Sequence, residues 1–498
     1  MKSFVKTTTL LTALAFAIAH PLFAQVPDLT TDATSVDRKL TYNLGATGLR
    51  GCIYTKAANN LDAAQGRTTL ASRQILVTDV GATSPADGIV KVDDVILGVE
   101  GKPFNDDARK SFALAIQEAE TEAKGGELKL MVSRGGTVQE LSIKLAVMGT
   151  YSETAPWNCE KSGRILDQAC KVLEQEQMAK NWTGSIQGLA LLATGKPEYL
   201  PKLQEFARSL AALQVDPNKK PEGPVLGDTW QLAYRNLFLC EYFKITRDKE
   251  VLPAIDHIAL SLARGQGMYG TFGHGFAALT RDGKFNGSVP PYGPVNMAGL
   301  PANLSIVLAK KCGVNHPEFD QAIARAAGFF GNFTDKGAIP YGEHEPWPYH
   351  ENNGKNSITA VMFSAIGNKP DETGFFARMA TAGYASREYG NTGQGFSYLW
   401  SALGANVGGP EAAGAFFRKA SWHFDLARRS DGSFTYDGGE QYGAGQTDDN
   451  TYFGKSGYFG LSPAATYVLT YALPLRKLVI TGRDTKPSGW LDKKQAAA

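Results

Sequence analysis

The sequence predicts a multidomain chain: a small α+β domain followed by an all-α domain, an α/α toroid of about six helical hairpins. Three observations carry this prediction. The 498 residues exceed what one ordinary core accommodates. Residues 42–148 read as short alternating strands around a single helix. Beyond Pro156-Trp157 the texture changes to paired helices of about 12–18 residues separated by glycine-rich loops. Apolar content of 43% with 20% charged residues describes a folded protein. The expected boundaries are 40–150 for the first domain, 151–180 for a linker and first helix, 181–482 for the helical domain, and 483–498 for a disordered tail.

Residues 1–24 have the pattern of a secretory signal. Lys2 and Lys6 precede the apolar run Leu10–Ala19, and Leu22-Phe23-Ala24 is a cleavage site before Gln25, with Ala17-Ile18-Ala19 as an alternative. The run is interrupted by Thr12 and followed by His20-Pro21, too short for a membrane anchor of about 18 or more apolar residues. The expected location is therefore periplasmic or extracellular, with no membrane span once the signal is removed. Without Lys2 and Lys6 the 51 basic residues fall to 49, equal to the 49 acidic ones. A near-neutral chain without a basic tract is not expected to bind nucleic acid. The five cysteines (52, 159, 170, 240, 312) do not form a disulfide framework, although an oxidising compartment would permit a Cys159–Cys170 bridge. None lies in a C-x-x-C unit, so no structural zinc is expected.

In the first domain, ILVTDV (75–80) alternates as a strand, and VDDVILGVEGKPF (92–104) reads as a strand pair with a glycine at its turn. Residues 105–123 form a helix with Asn105 as N-cap and Phe112, Ala115, Ile116 and Ala119 on one face. Gly135-Gly136 between ELKLMVSR and TVQELSIKL is a hairpin signal. The run SPADG followed by VDDVILGVEGKPF resembles the core motif of bacterial-type PDZ domains, and the resemblance covers most of 40–148. It implies a groove in which a peptide or protein C-terminus adds as a strand beside the helix. Its carboxylate would be held by Gly48, Leu49, Arg50 and Gly51; Arg50 departs from the family's glycine–hydrophobic–glycine form. The alternative is a module that packs on the next domain. No G-x-S-x-G elbow accompanies it, so the partner domain is not a serine protease of that type.

The expected helices of the second domain are 165–177, 183–194, 199–213, 229–246, 250–266, 296–313, 317–333, 355–367, 375–388, 395–406, 410–429 and 462–478. An apolar, small-residue helix is followed by a more charged one, as for inner and outer helices of a toroid. Loops of one texture recur: GMYGTFGHG (267–275), GAIPYGEHEP (337–346), REYGNTGQG (387–395) and DGSFTYDGG (431–439). In a closed ring they gather at one mouth. SPADG, TAPWNCEKS (154–162), HENNGK (350–355), SYLWSALGAN and LARRSDGSF together resemble an uncharacterised family of exported bacterial proteins with a PDZ domain and an α/α toroid. That resemblance implies an architecture and no reaction.

The loop YGEHEPWPYHENNGK (341–355) is the most chemically loaded. It is not a metallopeptidase motif, because His344 and His350 are six residues apart and Pro346 and Pro348 preclude a helix. No metal or cofactor is expected. The D-x-D-D and D-D-x-x-D spacings of terpenoid chemistry are absent. Carbohydrate chemistry fits better. A hydrolase needs two carboxylates, here Glu343 or Glu345 with Asp431 or Asp437. A lyase needs a base and groups that neutralise a uronate; His344, His350, Tyr292 and His274, with Asn353 and Arg428, would serve. The expected catalytic set is therefore Glu343, His344, His350, Tyr292 and Asp431. Substrate would be bound by His274, Trp347, Asn353, Asn391, Arg428 and Tyr436, with Tyr341, Tyr349 and Trp400 as further aromatics. The alternative from another class is a non-catalytic scaffold that binds a peptide or a polysaccharide. His423, Trp422 and Phe424 are expected in the core, and Arg428-Arg429 either binds an anion or caps a helix.

Overall fold

The computed structural model describes residues 41–53, 74–105, 107–219, 228–289, 292–346, 354–383, 393–436 and 460–497. The N-terminal part is an antiparallel sheet. Its strands among the described residues are β1 (Tyr42–Asn43), β2 (Leu49–Ile53), β3 (Ile75–Val80), β4 (Val95–Val99), β5 (Lys102–Pro103), β6 (Glu127–Arg134) and β7 (Thr137–Lys144). They lie in the order β1-β2-β3-β4-β6-β7, with β5 folded onto β4. Gly135 and Gly136, with φ of 57° and 83°, make the left-handed two-residue turn that joins β6 to β7. Helix α1 (Ala108–Ala119) covers the sheet with Phe112, Ala115, Ile116 and Ala119, the expected face. Its N-cap is Asp107 rather than Asn105. The Asp107 carboxylate accepts the Arg109 amide at 3.0 Å and also pairs with the buried Arg109 guanidinium, so one side chain caps the helix and neutralises a cation.

Helices make up the rest of the chain: α2 (Glu160–Gln175), α3 (Trp182–Thr194), α4 (Leu200–Ala211), α5 (Asp228–Thr246), α6 (Leu252–Gly265), α7 (Asn296–Lys311) and α8 (Pro317–Gly331). These are followed by α9 (Lys355–Ile366), α10 (Pro370–Ala382), α11 (Gly393–Val407), α12 (Gly409–Ala427), α13 (Pro463–Tyr471) and α14 (Lys493–Ala497). Helix α3 packs on α5, α5 on α7, α7 on α9, α9 on α11, α11 on α13, and α13 returns to α3. The members of this cycle bury most of their residues, the carboxylate of Glu241 on α5 included, and every residue of α3 is buried. Helices α4, α6 and α8 are amphipathic and lie outside the cycle; α4 buries only Leu203, Phe206, Ala207 and Leu210. No helix among the described residues is long and apolar enough to cross a membrane.

Three expectations are corrected. Helix α10 begins at Pro370 and ends at Ala382, not 375–388, because Pro370 sits at N1 with Asp371 and Glu372 in the first turn. Residues 483–497, expected as a disordered tail, pack back on the chain: Trp490 meets Trp157 edge-on at 5.9 Å and the Leu491 amide donates to Gly408. Cys159 and Cys170 cannot bridge. Both belong to the α2 segment, eleven residues apart, which separates them by about 16 Å along a helix axis. Cys159 instead caps α2 by accepting the Ser162 amide.

The two parts meet at a buried cluster of four charges. Lys161 of α2 lies 2.9 Å from Glu120, which follows α1, and 3.6 Å from Asp425 of α12. Arg428, just past α12, pairs with Glu120 and lies 3.4 Å from Asp425. None of the four side chains is more than 3% exposed. Tyr151 and Gln117 donate to Asp425 at 3.0 and 2.8 Å. Burial alone would lower the Arg428 pKa, but Glu120 and Asp425 raise it. Trp422 and Leu426 of α12 complete the apolar core of the sheet domain.

K161M leaves two buried carboxylates facing one guanidinium, and should cost about 3–5 kcal/mol in urea unfolding; a loss below about 1 kcal/mol would show that water reaches the cluster. A second prediction concerns Glu241 of α5, whose carboxylate accepts the Val479 and Ile480 amides at 3.1 Å each. Burial pushes its pKa up to about 7 against the opposing effect of those amides. The folded state therefore holds a proton that the unfolded state has released. The contribution to stability is complete below the ordinary glutamate range and is lost as pH rises through 7, on the order of 3 kcal/mol. Unfolding free energies measured from pH 5 to 8 should fall in the wild type and flatten in E241Q.

Candidate functional site

The first turns of three helices of the packing cycle meet. Trp182 opens α3, Trp230 lies in the first turn of α5, and Phe396 lies in the first turn of α11. Phe396 stacks on Trp182 at 5.7 Å and on Trp230 at 5.2 Å. From Trp230 the aromatic row continues to His274 at 6.2 Å, then Tyr292 at 5.9 Å, then Tyr341 at 6.2 Å. Asn296, the first residue of α7, holds the last loop by donating its side-chain amide to the Pro340 and Gly342 carbonyls. Tyr292 is 67% exposed and its hydroxyl donates to that of Tyr341 at 3.4 Å. The row thus runs from the buried Trp182 to solvent.

His274 is the polar centre of this row. Its Nδ1 accepts the indole N–H of Trp230 at 3.0 Å, which places the proton of the neutral ring on Nε2. Burial lowers its pKa, so the ring is neutral near pH 7. Its Nδ1 lone pair is occupied, and it can offer Nε2–H to a hydroxyl or a carboxylate. It suits binding or charge stabilisation better than proton abstraction.

Of the expected site residues that are described, Tyr292 and His274 meet in this row, and Glu343, Asp431, Arg428 and Tyr436 do not join them. Glu343 accepts the Thr271 hydroxyl at 2.9 Å and lines a groove against α8 with Tyr269 and Arg325. His344 lies beside Gly342. Asp431 caps its own DGSF turn by accepting the Ser433 amide at 2.9 Å, and it lines a cleft of about 380 Å³ between the two domains, with Gly48 and Gly81. Burial would raise its pKa, but Ser433 holds it below the ordinary range. Glu343 and Asp431 therefore open into different cavities, and the paired-carboxylate arrangement is not formed between them. Arg428 is committed to the interdomain charge cluster. Tyr436 is buried, with its hydroxyl 3.1 Å from that of Thr466, and burial raises its pKa. Trp400 is buried inside the ring and donates to the Tyr234 hydroxyl. His350, Trp347, Asn353 and Asn391, with Tyr349 and Asp437, lie outside the described residues. His423 stacks on Tyr398 at 4.6 Å in the core, as expected.

The loop expected to hold a peptide carboxylate is part of the joint between domains. Leu49 and Arg50 are buried. Arg50 donates to the Thr41 hydroxyl at 2.7 Å and to the Tyr436 carbonyl at 3.2 Å. The outer edge of β2 already carries β1, with Tyr42 opposite Gly51 and Asn43 opposite Arg50. The Asn43 amide donates to the Leu426 carbonyl. A Cβ at Gly45, where φ is +68°, would lie 2.8 Å from the Asp425 carbonyl oxygen, so only glycine lets α12 approach so closely. Gly48, with φ of +81°, faces Ser84.

The sequence reading overlooked Trp182, Trp230 and Phe396. The available signal was an aromatic in the first turn of successive apolar helices, in N-W-T-G, D-T-W-Q and G-F-S-Y. In proton NMR at varied pH, the His274 ring should titrate below the ordinary histidine midpoint of about 6.5. A midpoint above that value would mean that the ring is solvated or paired with an acid.

No curated protein matches the chain. Residues 162–482 match the family described as a domain of unknown function, DUF6288, and the chain belongs to that family.

Proposed function

We propose that the helical domain is an α/α toroid whose mouth binds a saccharide chain, and that the protein is exported to act on or hold that polysaccharide. The cyclic packing of α3, α5, α7, α9, α11 and α13 supports the toroid. The aromatic row from Trp182 to Tyr341 supports the ligand class and is the observation that carries the proposal. Sugar rings present apolar C–H faces that stack on aromatics, while their hydroxyls require donors and acceptors such as His274 Nε2–H and the Tyr292 hydroxyl. The N-terminal module is a PDZ-type domain in this reading. Its motif and its sheet-plus-helix layout support that assignment, and it serves as a brace, because β1 takes the outer edge of β2 and α12 with residues 426–436 packs against the same face.

A specific observation favours catalysis as a second reading. The exposed Tyr292 hydroxyl lies next to that of Tyr341, and its ring lies 5.9 Å from that of the neutral donor His274. A tyrosine base with a neutral hydrogen-bond donor suits uronate β-elimination. Hydrolysis by Glu343 with Asp431 lacks support, because the two line separate cavities.

Calorimetric titration with neutral and uronate-containing oligosaccharides tests the proposal. W230A should weaken binding about tenfold or more, and Y292A, at a solvent-exposed position, should weaken it without unfolding the protein. Absence of binding to the whole panel would remove the saccharide reading. Absorbance of an unsaturated uronate product, abolished in Y292F, would identify a lyase, and its absence with binding intact would leave a non-catalytic receptor.

A further inference from the structure

A groove of about 530 Å³ lies between the 267–271 loop and helix α8, lined by Met268, Tyr269, Arg325, Phe329 and Glu343. It adjoins the mouth, because the loop that carries Tyr269 leads directly to Thr271 and His274. Tyr269 is 61% exposed and Met268 44%. Arg325 projects from α8 and is half-buried. Its Nε donates to the Gln266 side-chain oxygen at 2.7 Å, which fixes the plane of the guanidinium. No carboxylate among the described residues pairs with it, and burial is the sole cause that lowers its pKa. Other withdrawn arginines have their charge or their N–H groups taken up: Arg109 has Asp107, Arg264 has Glu318 and Arg134 has Asp94, while Arg235 donates to the Leu213 carbonyl and Arg476 to the Gly482 carbonyl.

A partly desolvated guanidinium without an anion, held in plane and flanked by an exposed tyrosine, is a recognition element for a planar carboxylate. Glu343 lies in the same groove with one oxygen taken by Thr271, and it serves as an acceptor for sugar hydroxyls. We propose that this groove is a saccharide subsite continuous with the mouth, in which Arg325 binds the carboxylate of a uronate residue and Tyr269 stacks on its ring. The inference rests on the saccharide reading above and narrows the ligand to an acidic chain. It also moves the anion-binding role from Arg428, which the interdomain cluster occupies, to an arginine that faces solvent.

The test compares an oligouronate with its carboxyl-reduced counterpart, which has the same linkages and no charge. Calorimetry on the full chain should show that the wild type prefers the oligouronate by about tenfold, the scale of one charge-assisted hydrogen-bonded pair. R325Q should abolish that preference and leave the affinity for the reduced oligomer unchanged, R325K should retain part of it, and Y269A should weaken both ligands. Circular dichroism verifies that each variant is folded. Equal affinity of the wild type for both oligomers, or an unchanged preference in R325Q, overturns the subsite while the saccharide reading stands. Failure of both oligomers to bind overturns both.

Discussion

Two cations and two carboxylates, withdrawn from water, determine how this molecule is assembled. Lys161 and Arg428 face Glu120 and Asp425 where α1, α2 and α12 meet. Stripping four such groups of water is tolerable only when each has its partners, so the sheet domain and the helical ring cannot separate without exposing unpaired charge. The apolar contacts follow from the same constraint. Trp422 and Leu426, one helical turn apart on α12, enter the sheet domain's core. The chain then continues as LARRSDGSFTY along β1 and β2, where Asn43 and Arg50 hold its carbonyls. Residues that read in sequence as mouth chemistry are therefore spent on architecture.

The ring's chemistry concentrates at the other feature, the row of aromatics at the first turns of the inner helices. Helix starts are the natural place for it. Helices α3, α5 and α11 begin close together, so Trp182, Trp230 and Phe396 of their first turns meet there. His274 illustrates how the row acquires polarity. The Trp230 indole fixes its tautomer and burial keeps it neutral, so it presents a donor without a charge. Arg325 of α8, which lines a groove with Met268 and Tyr269 of the same loop, presents a charge with no acid partner among the described residues. A neutral donor, the exposed Tyr292 beside the half-buried Tyr341, and a guanidinium with no carboxylate partner among the described residues form a gradient from apolar interior to polar rim.

Legibility differed between levels of structure. Strand β3 coincides with ILVTDV, the β6–β7 hairpin turns at Gly135-Gly136, and α3, α5 and α7 fall within two residues of their expected limits. These signals are local: period, turn chemistry and helix breakers act within a few residues. Helix α10 was misplaced because Pro370 was not used as a start signal. Site residues fared differently. Tyr292, Tyr341 and His274 do lie in one aromatic row, whereas Asp431, Arg428 and Tyr436, from a loop of similar texture, lie at the domain joint. Loop composition does not report which neighbour a loop meets.

The sequence by itself determined the succession of elements, the division into a sheet domain and paired helices, and the family. Each follows from patterns a few residues long, or from a signature that runs with the chain. Only the tertiary structure decided which polar groups face one another. It brought Glu120 to Arg428 across 308 positions of sequence, and Trp182 to Phe396 across the ring. It sent Glu343 and Asp431 into different cavities. The physical reason is that charge pairing and aromatic stacking act over a few ångströms in space, and the distance between two residues in space is set by how the ring closes and how α12 docks.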